Sequence, residues 1–287
     1  MRLLINMGEN IDHKENLTST GQHADNDYDL IEKILKKLNK SNDFSKKTCI
    51  DVGCGNGTFM KNLSERIKFK SVDGIEVNKF AIDNLNQDKS NPFNNLYNSE
   101  ILDFQTDIKY DFCIFTEVLE HLYDDEIVET IEKLKSISKN IIITTPDPVT
   151  CFQLGFYLGE LKAANQNSYL INNLDEFKGL EAAVHKSTVM KTSMRMSGFN
   201  TKTIKWNDNN INLYMHTILY YGEAQKINSQ RINHYGLQKS NYSVSESSDF
   251  KKIYMDILID SAQFFPKFNK KFNLWNFIVH QYKKRFK

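Results

Sequence analysis

Two stretches of the chain hold groups suited to chemistry. The first is Asp51-Val52-Gly53-Cys54-Gly55-Asn56-Gly57, an acid followed by glycines at alternate positions. Glycines so spaced let a backbone turn sharply and approach a ligand with no Cβ in the way. The second is Glu117-Val118-Leu119-Glu120-His121-Leu122, two carboxylates and an imidazole within five residues, with His185 as a distant companion. Glu117, Glu120, His121 and His185 could converge on one divalent ion, magnesium or zinc. Alternatively His121 or His185, with Glu120 beside them, could take a proton without metal, because imidazole titrates near neutrality.

The elements needed to position these residues alternate along the chain. Leu30, Ile31, Ile34, Leu35 and Leu38 share the face of a first helix. Thr48–Val52 reads as a buried strand, Gly53–Thr58 as the glycine turn, and a helix runs on to about Ile67. Ser71–Glu76 is a second strand, Lys79–Leu85 a helix, Leu96–Ile101 a weak third strand and Tyr110–Thr116 a strongly apolar fourth. Asp124 and Asp125 open a helix carrying Ile127, Val128, Ile131, Leu134 and Ile137 on one face, their charge suiting the positive end of its dipole. A fifth strand, Asn140–Thr145, stops at Pro146-Asp147-Pro148. After a long stretch, a helix is expected from Ser187, closed by Gly198 as a left-handed residue. Thr201–Trp206 and Leu213–Tyr221 then pair as a hairpin finishing the sheet. This alternation predicts an α/β fold of Rossmann-like, doubly wound type, with a mostly parallel seven-stranded sheet.

The glycine loop therefore sits between a strand and a helix, where a nucleotide binds. Its Gly-x-Gly-x-Gly spacing puts Thr58 where the dinucleotide fingerprint has its third glycine, which argues against a pyrophosphate clamp and a nicotinamide-dependent oxidoreductase. Glu76 ends the second strand, where a carboxylate accepts ribose hydroxyls in either cofactor class.

Taken in order, the glycine loop, Gly74-Ile75-Glu76, Tyr110-Asp111-Phe112 and Glu117-Val118-Leu119-Glu120-His121-Leu122 resemble the motifs of class I S-adenosylmethionine-dependent methyltransferases, over about residues 47 to 222. The resemblance implies that Asp51, Gly53 and Gly55, within a loop that includes Cys54 and Gly57, hold the methionine part of S-adenosylmethionine. It implies that Glu76 and Val77 meet the ribose side, that Glu100 and Ile101 lie near the adenine, and that Glu117 closes the pocket. Relatives often place Asp at the end of strand three; here Ser99 stands there, with Glu100 next and Asp103 nearby. The Glu-x-x-Glu-His pattern is similar to small-RNA 2′-O-methyltransferases and to ubiquinone-pathway O-methyltransferases, which act on catechol-like rings. The latter also resemble this chain in an insertion after strand five and a Gly-Phe like Gly198-Phe199. The implied activity is methyl transfer to a small-molecule acceptor, most simply a hydroxyl.

The rest of the chain bounds these expectations. Net charge is +1 over 287 residues, so no global field draws the protein to nucleic acid, and no basic groove with aromatic platforms flanks the motifs. Cys49, Cys54, Cys113 and Cys151 form no CxxC pair, which suits packing in a reducing compartment. No signal peptide or membrane span is legible, giving a cytoplasmic expectation. The expected organisation is an arm and helix over 1–46, a methyltransferase domain over 47–222 and a helical extension over 223–287. The insertion 149–184, with Cys151, Phe156 and Tyr157, reads as a lid over the acceptor. Residues 266–287 hold seven Lys or Arg and no acid among aromatics, a pattern for docking on the core or for peripheral contact with a membrane or lipid-linked substrate.

Overall fold

The structure is a computed structural model and describes residues 25–147, 187–208 and 213–236. The N-terminal arm, the expected lid with Phe156 and Tyr157, His185 and the basic-aromatic tail fall outside the described residues.

Seven strands form one sheet in the order β3-β2-β1-β4-β5-β8-β7. Strands β1 (Thr48–Val52), β2 (Ser71–Glu76), β3 (Asn95–Asn98), β4 (Tyr110–Thr116) and β5 (Ser138–Pro146) run parallel to one another. Strand β8 (Leu213–Glu223) is antiparallel to β5, and β7 (Asn200–Asp208) is antiparallel to β8. The inner strands read as apolar runs because both faces are covered: Phe112 to Phe115 and Ile141 to Ile143 are at most 1% exposed. Chain order reverses between β1 and β4, and at such a switch point the turns after the strands part and leave a crevice.

One face is covered by α1 (Asp25–Asn39), α2 (Thr58–Arg66) and α3 (Lys79–Gln87), whose Ile31, Leu35, Met60, Leu63 and Leu85 pack on Cys49, Phe112, Ile142 and Leu219. The other is covered by α4 (Ile127–Ile137) and the short α5 (Lys191–Met196). There Ile131, Leu134 and Met194 join Ala224, Ile227 and Ile232 over Ile50, Phe115, Ile143 and Tyr220. Ala224, Ile227 and Ile232, beyond the last strand of the sheet, thus belong to the core.

The described elements differ from the sequence expectations at three places. The third strand ends at Asn98, so Glu100 and Ile101 stand in the turn beyond it. Asp124–Glu126 forms a 3₁₀ turn and the α-helix begins at Ile127. Ser187–Val189 is a strand (β6) rather than the start of a helix, and α5 occupies only Lys191–Met196. Strand β6 pairs antiparallel with β9 (His234–Gly236), so Ser187, Thr188 and Val189 find their backbone partners in a segment far along the chain. Ser-Thr-Val suits a strand better than a helix, two of the three being β-branched. Among the described residues no helix is long and apolar enough to cross a membrane.

Candidate active site

The glycine loop follows β1 directly, and its three glycines all take positive φ, +71° at Gly53, +54° at Gly55 and +75° at Gly57. They serve different ends. A Cβ on Gly53 would lie 2.4 Å from Val118 Cγ2, so this glycine lets the loop press against the segment after β4. A Cβ on Gly55 would meet nothing within 4 Å among the described residues.

The amides of the loop are committed inside the protein. Gly53 N and Cys54 N donate to Ile75 O, at 2.8 and 3.0 Å, and Gly57 N donates to Cys54 O at 2.9 Å. Gly55 N donates to Glu76 Oε2 at 2.8 Å, and Thr58 N, at the start of α2, to Asn56 Oδ1 at 3.1 Å. A dinucleotide site works differently, its helix N-terminus offering N–H groups to a pyrophosphate. Here Asn56 already fills that role, in line with the missing third glycine. The Cys54 side chain is buried in the helix-side core.

Glu76 joins the loop to the next helix. While Oε2 takes the Gly55 amide, Oε1 accepts from Asn78 N at 2.9 Å, and Asn78 Oδ1 caps α3 by accepting from Phe80 N at 2.9 Å. Each carboxylate oxygen retains a second lone pair for a hydroxyl. Val77, just past it, is 52% exposed, an apolar surface at the rim.

Asp51 is the outlier. It is 1% exposed, and among the described residues neither carboxylate oxygen has a hydrogen-bond partner. Burial, with Glu76 adding like charge, pushes its pKa up to about 8. A buried, unpartnered acid costs stability and invites a cation.

The third group lies past β4. Glu117 holds φ +53°, unusual for a residue with a Cβ, and its amide donates to Thr144 O at 3.0 Å. That turn brings Glu120 underneath, 1% exposed, where its Oε2 accepts from Thr145 Oγ1 at 3.0 Å. Burial first, and then the nearby Glu117 carboxylate, raise the Glu120 pKa well above the ordinary range, and the two acids share a hydrogen bond. His121 Nε2 stands 3.9 Å from Glu120 Oε1, with its side chain 23% exposed. Glu120 thus has Glu117 on one side and His121 on the other. His185 lies outside the described residues, though Ser187, two positions on, donates from Oγ to Leu119 O at 3.2 Å.

The metal set expected from the sequence includes His185, which lies outside the described residues. Among the described residues no three of His, Cys, Asp and Glu are placed to hold one ion. Of the residues expected near an adenine, Ile101 packs in the core and Glu100 is exposed on the surface of the turn.

Three residues with roles here went unnoticed in the sequence. Thr145 holds Glu120. Asn98 braces the Glu76 turn. His234 Nδ1 lies 2.7 Å from Asp124 Oδ1, tying β9 to the segment that carries His121. Their positions at strand ends beside the motifs were the available signal for the first two.

A mostly parallel sheet with a switch point, a glycine loop after β1 and an acid at the end of β2 define a nucleotide-binding α/β protein of Rossmann-like type. The chain belongs to the methyltransferase domain family, whose model matches residues 23–190. That family is of the class I S-adenosylmethionine-dependent type that the motifs resemble. Alpha N-terminal protein methyltransferase 1 of Dictyostelium discoideum is 31% identical over 123 residues, covering 41% of this chain and 45% of that protein. The small RNA 2′-O-methyltransferase of Arabidopsis thaliana is 28% identical over 132 residues, covering 41% of this chain and 14% of that protein. The chain thus spans less than half the length of these curated relatives. Among solved structures, the N-methyltransferase NodS of Bradyrhizobium japonicum, in complex with S-adenosylhomocysteine, superposes with a TM-score of 0.42 at 15% identity, over 70% of this chain and 89% of that one. Magnesium protoporphyrin IX methyltransferase of Synechocystis, with bound S-adenosylmethionine, gives 0.42 at 15% identity, over 73% and 89%.

Proposed function

We propose that this chain transfers the methyl group of S-adenosylmethionine to a hydroxyl of a small molecule, with His121 taking the proton. The observation that carries the reading is the imidazole at the end of β4, part exposed, with the buried Glu120 beside its Nε2. S-adenosylmethionine supplies an electrophilic methyl on a sulfonium, so the protein need only bind, align and deprotonate the acceptor. Glu120 is anchored by Thr145 and so fixes the direction of its charge or proton toward His121. Asp51 suits the ammonium of the methionine part, since among the described residues it has no donor. Glu76 suits the ribose hydroxyls and Val77 the adenosine face. A metal-assisted version would require both glutamates ionised and turned to one ion, against their mutual hydrogen bond.

The test is formation of S-adenosylhomocysteine with an acceptor panel: a catechol, a phenol, a sugar, a short peptide with a free α-amine, and an RNA oligonucleotide. Each is assayed with chelator and again with magnesium or zinc. Turnover on a hydroxyl with chelator present, lost in His121→Ala, is the expected result; turnover only with metal would replace it by the metal-assisted mechanism. The peptide amine is the second reading, favoured by the 31% identity to an enzyme named for methylating protein N-termini.

A further expected outcome concerns Gly55. Gly55→Ala meets no atom of the described residues, so the left-handed backbone alone sets the penalty, about 1 kcal/mol, or roughly 2–4 °C of melting temperature. The methyl would nonetheless fill the space bordering the loop. Calorimetry should show S-adenosylmethionine affinity falling by more than about tenfold.

A further inference from the structure

Glu76 is held from behind as well as in front. Asn98, the last residue of β3, pairs in register with Glu76 across the sheet. Its side chain, standing at the exposed rim, donates from Nδ2 to Glu76 O at 2.9 Å and to Val77 O at 2.8 Å. Ser99 N adds a bond to Glu76 O at 3.3 Å. Regular pairing of β2 ends at Glu76, and the chain must there leave the sheet to start α3 at Asn78. A single planar amide with two N–H groups on one nitrogen can bridge the two successive carbonyls; a carboxylate would face them with acceptors only, and a hydroxyl has one proton to give.

We infer that Asn98 is a positioning residue for the cofactor: it fixes the main chain on both sides of the Glu76–Val77 peptide bond and so sets the carboxylate that reaches Gly55. The network runs from Asn98 to the Glu76 and Val77 carbonyls, through the Glu76 side chain, to the amides of Gly55 and Asn78. The inference rests on the reading of Glu76 as the ribose acid. A bond to rim carbonyls contributes little to stability, because water replaces it on unfolding and on mutation alike. Its geometric effect on Glu76 has no such substitute. Affinity should therefore suffer more than folding does.

The test is calorimetric titration of S-adenosylhomocysteine and of methylthioadenosine into the full chain and its variants. Asn98→Ala should weaken both ligands about tenfold, since both keep the ribose, with the melting temperature changed by less than about 3 °C. In a Glu76→Gln background the same substitution should cost less than about threefold, because the group it positions is already impaired. Should the alanine variant melt early, Asn98→Ser, which keeps one donor, reads the same cycle. Undiminished loss in the Glu76→Gln background, or loss with S-adenosylhomocysteine alone, would overturn the inference. Wild-type affinity in Asn98→Ala would overturn it too. Failure of the wild-type chain to bind either ligand would instead sink the cofactor assignment of Glu76 on which it stands.

Discussion

Asp51→Asn is expected to stabilise the ligand-free protein and to weaken S-adenosylmethionine binding by roughly thirty- to a hundredfold. The two effects share one cause. Asp51 is buried at the end of β1, with no donor to either oxygen among the described residues. Its pKa of about 8 lies far above that of a carboxyl in the unfolded chain. Between about pH 4 and pH 8 the folded protein thus keeps a proton that the unfolded chain has released. Stability is fully present below the unfolded value and is lost as pH rises toward 8, by at most about 1.4 kcal/mol per pH unit from this group. Asn cannot ionise in either state, so thermal melts of the variant should flatten across that window and exceed the wild type most near pH 8. Binding runs the other way. A cationic ammonium favours the ionised acid, and a hydrogen bond to a charged partner contributes about 1.5–3 kcal/mol, which the amide forfeits. Calorimetry below pH 8, repeated in buffers of different ionisation enthalpy, should also show proton release on binding in the wild type and none in the variant. Equal affinity of the two proteins would remove Asp51 from the cofactor site.

Gly198→Ala carries the largest expected loss of stability, roughly 3 kcal/mol, or about 6–12 °C in melting temperature. Gly198 closes α5 at φ +111°, its amide donating to Arg195 O at 3.1 Å, and Phe199 N donates to Met194 O at 3.1 Å. A Cβ there would stand 2.4 Å from the main-chain oxygen of Lys226, and main chain cannot step aside as a side chain can. Asn228 N donates to Ser197 O at 2.7 Å, so relieving the clash would break a neighbouring bond. It would also part Phe199 from Ile227 in the core they share. Gly55→Ala, with similar backbone strain and no obstacle, is the natural control. A melt for Gly198→Ala within 3 °C of the wild type would show that the two chains separate without cost.

The contrast between these two glycines bears on what a sequence discloses. Gly198 was legible as a helix stop because Met-Ser-Gly-Phe after a helical run has that local meaning; that Lys226 leans on it was not, since nothing local links the two. Strands β1, β2 and β4 were legible to the residue because each is a short stretch rich in β-branched or aromatic residues, bounded by a lysine before it and by Gly, Asn or a charge at or near its end. The strand Ser187–Val189 was misread as helix, for its three residues have no periodicity and their partner, His234–Gly236, lies beyond two other strands. The same holds at the site. Glu117, Glu120 and His121 were recognised from spacing, whereas Thr145 and Asn98 act through register, which pairs positions across strands and leaves no mark on either strand alone.

The placement of β8 also sets a timetable. As the ribosome delivers the chain, β1 to β4 can assemble in sequence, each on a neighbour already made. Strand β5 gains β4 at once, but its other edge, Ile141-Ile142-Ile143, waits for Leu219 to Gly222, and those residues emerge on the order of ten seconds later at ordinary elongation rates. Throughout that interval a run of three isoleucines presents unpaired amides and carbonyls beside an apolar face, a template for another nascent chain. Polypeptides released before Glu223 would keep that edge open permanently. Insolubility of such fragments would therefore record unfinished manufacture of the sheet, and yield in cells should depend on how promptly the last hairpin arrives.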